Sequence, residues 1–111
     1  MNDKQPGTND GLNLELRRGA IVLAVLSQLK VEHYGYSLKR VLQDKGLAVD
    51  EGTLYPMMRR LEAQGLLSSE WRIEEGRPRR YYRLSLAGES VLAGLARDWD
   101  ELTTAMKEVL R

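Results

Sequence analysis

Apolar side chains recur at the three- and four-residue spacing of an α-helix over most of the chain. The first such segment, residues 14–30, starts amphipathic and becomes apolar on nearly all sides between Ile21 and Leu26. A helix that is apolar all round is typical of the middle of a core. Residues 1–11 before it are polar and contain Pro, Gly, Asn and Asp, so we predict a flexible N-terminal tail there.

Two shorter helices are predicted next. The second helix starts at about Tyr36 and ends near Gly46. The third begins after Asp50, a favourable N-cap, and ends just before Gly65. Glycine readily adopts the left-handed conformation that closes many helices, so both glycines are predicted to lie at helix C-termini.

After the third helix the apolar pattern changes to a period of two. Leu67, Trp71 and Ile73 fall on one side of the segment and polar residues on the other, which predicts a strand. The sequence "EGRPR" supplies a turn, and the aromatic-rich "RYYRLS" is predicted to be the return strand. A long amphipathic helix occupies the rest of the chain.

The predicted order is helix, helix, helix, strand, turn, strand, helix. This order indicates a mainly α fold with a small β-ribbon, namely a winged helix-turn-helix followed by a C-terminal dimerisation helix. We assign residues 12–85 to the first part and residues 86–111 to the second. The ribbon is too small to be stable alone, so it must pack on the helices.

The composition limits the classes of protein that fit. The 111 residues are 42% hydrophobic and 30% charged, as in an ordinary single globular domain. The chain contains no cysteine, which excludes disulfides and thiolate metal sites. No apolar run approaches the ~20 residues that span a bilayer, and the polar N-terminus lacks the apolar centre of a signal peptide. We therefore expect a cytoplasmic protein with no membrane association.

A local basic segment lies within a chain whose net charge is only +1. Residues 77–83 contain four arginines and no acid, whereas residues 84–111 contain five acids against three bases. Pro78 favours an extended backbone at Arg77 and so directs that side chain outward. An arginine-rich hairpin with two adjacent tyrosines is suited to phosphates and to a narrow minor groove. The alternative is a charged turn that keeps a sheet edge soluble.

The third helix has two different faces at about 100° per residue. Leu54, Met58 and Leu61, with Met57 at the margin, point toward the core. The opposite side is formed by Gly52, Tyr55, Pro56, Arg59, Arg60 and Ala63. Pro56 lies in the exposed arc within the first turns, where a missing N–H is less harmful than in mid-helix. This surface fits a DNA major groove, and a plain solvated helix face is the alternative.

The last helix carries an apolar seam at alternating spacings of three and four residues, as in a coiled coil. Its members are Leu92, Leu95, Trp99, Leu102, Met106 and Val109. The seam could pack on its own chain or join two chains. The first helix already supplies the interior, and paired DNA half-sites require two copies, so we predict a homodimer through this seam.

No constellation of residues predicts catalysis. His33 is the single histidine and is expected in a loop. Glu32 beside it has no nucleophile or second ligand at useful spacing. We therefore expect no enzyme activity, no metal site and no cofactor.

Three motifs resemble the PadR family of bacterial transcriptional regulators, in particular its short subfamily with one C-terminal helix. They are "YGYSLKRVL", "EGTLYPMMRRLEAQGLL" and "GRPRRYYRLSLAG", in the order and spacing of that family. The resemblance extends from about Leu14 to Val109. It implies a homodimeric regulator, usually a repressor, on inverted-repeat operators in double-stranded DNA. The third helix would enter the major groove, and the wing would contact phosphates or the minor groove.

The resemblance also assigns roles by position. The residues expected at DNA are Tyr36, Thr53, Tyr55, Pro56, Arg59, Arg60, Arg77, Arg79, Arg80 and Tyr81. Family members often lose DNA affinity on binding a small aromatic or cationic compound, and similar short members hold flat ligands between tryptophans of the final helices. This implies an effector site at Trp99, Leu95 and Met106. Pro78 departs from the family pattern, since many relatives carry a basic residue there.

Two other functions fit parts of the pattern. One is a winged helix that binds acidic proteins through its wing arginines, and the other is a ligand-binding dimer without a DNA role. Tyr55 and Arg59 on an exposed helix beside a basic wing favour DNA binding, because a protein-binding winged helix needs no such joint surface.

Overall fold

The first helix is longer than predicted. The computed structural model describes residues 6–111, with side chains described for residues 11–111. Helix α1 spans Pro6–Gln28, and a proline at its start is favourable because the first N–H groups of a helix have no internal partner. The flexible tail predicted at residues 1–11 therefore lies partly outside the described residues, and its second half belongs to α1.

The apolar centre of α1 lies in the core, as its sequence predicts. Val25, Leu26 and Leu29 have no exposed surface, and Ile21 is 5% exposed. They pack with the buried faces of the following helices and with the base of the hairpin in one cluster. The core is thus built around the one segment that is apolar on nearly all sides.

Helices α2 (Gly35–Asp44) and α3 (Glu51–Ala63) end at the predicted glycines. Gly46 and Gly65 follow them with φ of 94° and 81°. Each glycine places the next N–H against the last turn, at 2.9 Å for Leu47 N to Leu42 O and at 3.0 Å for Leu66 N to Leu61 O. Asp50 occupies the N-cap position of α3, but its side chain makes no capping hydrogen bond.

The sheet has three strands rather than the two that were predicted. Strand β1 (His33–Tyr34) pairs with β3 (Arg77–Leu84), which pairs on its other side with β2 (Leu67–Glu74), and all pairings are antiparallel. The prediction of a loop at His33 was therefore wrong. A two-residue strand has no detectable period, and its partner Tyr82 is distant in sequence.

The hairpin of β2 and β3 forms the wing. Its two turn residues are Glu75 and Gly76, both with positive φ, 52° and 75°, as a tight I′ turn requires. Leu67, Trp71 and Ile73 face the same side, as predicted, but exposure rises along the strand from 3% at Leu67 to 64% at Trp71 and 72% at Ile73. Along this side of β2, apolar burial against the helices is therefore confined to the base of the wing.

Helix α4 (Leu86–Val109) is capped by Ser85, whose hydroxyl accepts from Gly88 N at 3.0 Å and donates to Gly65 O at 2.6 Å. Gly88 is buried, and a Cβ there would lie 2.1 Å from the carbonyl oxygen of Leu66. The start of α4 is thereby held against the end of α3.

The mainly α fold with a small antiparallel sheet is as predicted. Among residues 6–111, no helix combines the length and apolarity needed to cross a bilayer.

Candidate nucleic-acid interface

The two predicted faces of α3 are present in the structure. Its inner face is fully or almost fully buried and consists of Leu54, Met57, Met58 and Leu61. On its outer side, Pro56, Arg59 and Arg60 are exposed, whereas Thr53 and Tyr55 are half-buried. Pro56 lies in the second turn of the helix, where it cannot donate to Gly52 O. The helix continues past the proline, so the exposed arginines stand on regular helical backbone.

Tyr55 packs against the start of α2. A Cβ on Gly35 would lie 2.6 Å from Cε1 of the Tyr55 ring, so only glycine leaves room for this ring. Burial, followed by the charge of Glu51, raises the pKa of Tyr55. Tyr36, beside it on α2, is 49% exposed, and its hydroxyl accepts a long hydrogen bond from Arg40 at 3.4 Å. Two tyrosines from different helices therefore border the same part of the surface.

Arg79 and Tyr81 share one carboxylate on the wing. The Glu74 Oε1 atom accepts from Arg79 Nη1 at 3.2 Å and from the Tyr81 hydroxyl. The hydrogen bond to Glu74 raises the pKa of Tyr81. The Arg79 guanidinium also lies 4.5 Å from the centre of the Tyr34 ring, so β1 supports the outer part of the wing.

Arg72 joins the wing to the loop before β1, a contact that was not predicted from the sequence. Its Nη1 and Nη2 atoms donate to the two oxygens of Glu32 at 2.8 Å and 2.7 Å, and its Nε donates to Glu70 at 2.7 Å. These bonds raise the pKa of Arg72 and lower that of Glu32. The guanidinium lies 4.4 Å from the centre of the Tyr81 ring. Glu32 and Arg72 are 40 residues apart, and no local pattern indicates their pairing.

Arg80 connects the wing to α3. Its Nη2 donates to Glu62 Oε1 at 2.8 Å and its Nε to Ser69 Oγ at 3.0 Å, while Ser69 donates to the other Glu62 oxygen at 2.6 Å. Arg77, by contrast, is exposed and has no ion-pair partner among the described residues. The wing arginines predicted to contact DNA therefore occupy different environments.

A cleft of 520 Å³ separates α3 from the wing and adjoins the start of α2. Tyr55 and Arg59 line it from α3, and Trp71, Arg79 and Arg80 line it from the wing. Residues of α3 and of the hairpin therefore border one common space, although the side chains of Arg79 and Arg80 leave the strand on opposite faces. Thr53, Pro56 and Arg60 lie outside it and border a shallower cavity of 230 Å³ between α3 and α1.

The residues that were predicted to form the effector site and the dimer seam lie in different environments along α4. Trp99 lines a cavity of 790 Å³ between α1 and α4, and with Leu95 and Leu102 it borders a smaller one of 140 Å³. Met106 lines neither of these cavities, and it is 40% exposed. Leu92 is only 7% exposed and belongs to the core of its own chain.

His33 takes part in hydrogen bonds that hold two elements of the fold together. Ser37 donates its hydroxyl hydrogen to Tyr34 O at 2.9 Å, so the 3.0 Å contact between His33 Nδ1 and Ser37 Oγ requires His33 to donate. Burial lowers the pKa of His33. This chain of hydrogen bonds joins β1 to the first turn of α2.

Within the described part of the chain, no group of three or more potential ligands could hold a metal ion.

A three-helix core with a two-stranded wing beside the third helix is a winged helix-turn-helix, the architecture of many DNA-binding regulators. Residues 22–94 match the Transcriptional regulator PadR-like family. The chain belongs to this family and is a transcriptional regulator, which implies DNA binding.

Individual relatives agree with this assignment. The chain is 42% identical over 97 residues to the transcriptional regulator Rv3488 of Mycobacterium tuberculosis, an alignment that covers 86% of this chain and 88% of the relative. A PadR family transcriptional regulator from Eggerthella lenta superposes with a TM-score of 0.84 at 44% identity, covering 94% of this chain and 93% of the other. A transcriptional regulator from Clostridium thermocellum gives a TM-score of 0.78 at 27% identity, with coverages of 87% and 99%. The relatives are regulators and not enzymes, in agreement with the prediction from the sequence.

Proposed function

We propose that the protein is a homodimeric repressor that binds inverted-repeat operators and is released by a small aromatic or cationic effector. The observation that carries the proposal is the common cleft, which Tyr55 and Arg59 of α3 line together with Arg79 and Arg80 of the wing. A surface built jointly by a helix and a basic hairpin fits two adjacent grooves of one duplex.

In this proposal α3 enters the major groove and the wing lies at the flanking phosphates. Residues 12–85 form the DNA-binding unit. We assign base-edge contacts to Arg59, Arg60 and the Tyr55 hydroxyl, with Thr53 and Pro56 beside them. We assign contacts with the DNA backbone to Arg77, Arg79, Tyr81 and Tyr36. Such backbone contacts release counterions, so affinity should fall steeply with added salt.

The dimer is proposed to form through residues 86–111, and the exposure of α4 supports this. Trp99, Leu102, Met106 and Val109 are 42%, 54%, 40% and 71% exposed in the single chain. Four large apolar side chains at heptad spacing in solvent are unusual for a monomer, whereas they form the seam of a two-helix contact. Leu92 would contribute little to this seam, because it is already buried in its own chain.

The cavity at Trp99 supports a cationic planar effector. Its lining includes Glu89 and Asp100 against the single base Lys30, together with the indole of Trp99. Aromatic rings and carboxylates together favour a flat cation. A ligand bound between α1 and α4 would release DNA if it preferred a dimer whose two wings have the wrong spacing.

The proposal is tested by selecting bound fragments from the host genome and measuring affinity for the recovered operator at several salt concentrations. We expect an inverted repeat and a salt dependence that corresponds to ~6–10 phosphate contacts. Tyr55→Ala and Arg59→Ala should change base preference, since each base contact contributes ~1–3 kcal/mol of discrimination. Recovery of no common sequence, or variants with unaltered preference, would contradict this assignment.

A further inference from the structure

Two large apolar side chains of the wing are exposed to solvent, and none of the contacts described above accounts for their exposure. Trp71 is 64% and Ile73 is 72% exposed, and both lie on β2, one of the two edge strands of the described sheet. They face the same side as their cross-strand neighbours Arg80 and Pro78. An exposed indole beside an arginine on an edge strand is unfavourable in water and indicates a contact surface.

The residues that line the cleft between α3 and the wing indicate which kind of ligand the exposed side chain of Trp71 would contact. Tyr55, Met58 and Arg59 form the wall on α3, and Trp71 and Pro78 belong to the opposite wall on the wing. Among the described residues that line the cleft there are three arginines and no acidic side chain. The cleft is therefore aromatic and rich in arginine, and two of its arginines, Arg79 and Arg80, are also paired with Glu74 and Glu62 behind the lining.

A sugar–phosphate strand has the matching chemistry, since its deoxyribose faces are apolar and its phosphates are anionic. The two walls also belong to the elements that the proposed function places in the major groove and beside the minor groove. One backbone strand of a duplex separates these grooves, so it must pass between α3 and the wing. The cavity at Trp99 does not have this character, because two of its lining residues are acidic.

We propose that the cleft holds one sugar–phosphate strand of the operator and that Trp71 is a DNA-contacting residue whose ring packs on a deoxyribose. This inference rests on the proposed DNA-binding function. Arg79, which also lines the cleft, donates to a neighbouring phosphate of that strand. Arg80 holds the wing to α3 through Glu62 and so maintains the separation of the two walls.

The first experiment uses the two tryptophans of the chain as separate reporters. The emission of the unmodified protein minus that of Trp71→Phe, in which Trp99 is the remaining indole, gives the signal of Trp71, and labelled operator DNA reports binding by its anisotropy in the same titrations. We expect Trp71 emission to change with the midpoint of the anisotropy curve. DNA binding without any change at Trp71 would overturn the inference and leave the proposed function intact, whereas absence of DNA binding by the unmodified protein would refute the proposed function itself.

The second experiment compares Trp71→Ala with Ile73→Ala. Ile73 lies on the same strand and side but does not line the cleft. Trp71→Ala should weaken operator binding roughly five- to tenfold, from the apolar area that the indole buries. The salt dependence should stay unchanged because no charge is removed, and Ile73→Ala should stay within about twofold of the unmodified protein. The role of Trp71 would be overturned if the two variants lost equal operator affinity. It would also be overturned if affinity fell only in variants whose circular dichroism is altered.

Discussion

Arg80→Ala and Arg77→Ala remove the same charge from the same strand, but the structure predicts different consequences. Arg80 donates to Glu62 at 2.8 Å and to Ser69 at 3.0 Å, and its guanidinium lies 5.4 Å from the centre of the Tyr82 ring. Arg77 is exposed and makes no ion pair with any described residue. We therefore expect Arg80→Ala to act mainly on stability and Arg77→Ala mainly on DNA affinity.

The size of the Arg80 effect follows from its contacts. A hydrogen bond to a charged group contributes about 1.5–3 kcal/mol. The Arg80 and Glu62 side chains are 35% and 25% exposed, so solvent screening reduces the pair to about 1 kcal/mol. The stacking on Tyr82 adds about 0.5–1 kcal/mol. Arg80→Ala should thus lower the free energy of unfolding by about 1.5–2 kcal/mol, whereas Arg77→Ala should change it by less than about 0.5 kcal/mol.

The assay is urea unfolding at one fixed protein concentration, combined with operator affinity at several salt concentrations. If Arg77 contacts one phosphate in each half of a dimer, Arg77→Ala should reduce the salt slope by about 1.8. Arg80→Ala should reduce it much less. Glu62→Gln is the matched control, because it weakens the same ion pair without removing a positive charge. The double variant that combines Glu62→Gln with Arg80→Ala should lose about 1 kcal/mol less in free energy of unfolding than the sum of the two single variants.

The opposite pattern would refute this reasoning. If Arg80→Ala is as stable as the unmodified protein and lowers the salt slope as much as Arg77→Ala, Arg80 is a phosphate contact. A Glu62→Gln variant that binds DNA more tightly would support that conclusion, because it would show that Glu62 only competes with phosphate for Arg80.

Three further predictions concern the fold and the dimer. Gly88→Ala should lower the free energy of unfolding by more than about 2 kcal/mol despite a better helix propensity, because its Cβ would lie 2.1 Å from Leu66 O; unchanged urea unfolding would contradict this. Leu95→Asp combined with Leu102→Asp should give monomers in sedimentation, and a persisting dimer would place the interface elsewhere. Burial lowers the pKa of His33 below 6.5, so its neutral form stabilises the fold, and that contribution is lost as the pH falls through the folded-state pKa. His33→Gln should therefore lessen the loss of stability in urea unfolding between about pH 7 and pH 5, and an identical pH profile would exclude this role.

The sequence by itself determined the four helices, the C-terminal ends of α2 and α3, and the hairpin. The apolar pattern of α3 placed Leu54, Met58 and Leu61 on the buried side, and they are at most 3% exposed. Gly46 and Gly65 marked the helix ends, where both have positive φ. These features depend on neighbours within about one turn, so the local pattern contains all the information that they need.

Only the tertiary structure decided which charged and aromatic side chains meet. Arg80 and Glu62 are 18 residues apart and Arg72 and Glu32 are 40 apart, so their pairing depends on how the wing lies against the helices. The exposure of Trp71 has the same origin. Alternation shows which side of a strand a residue occupies, but packing decides whether anything covers that side. Long side chains reach partners from other elements, and a pattern along one segment carries no information about those partners.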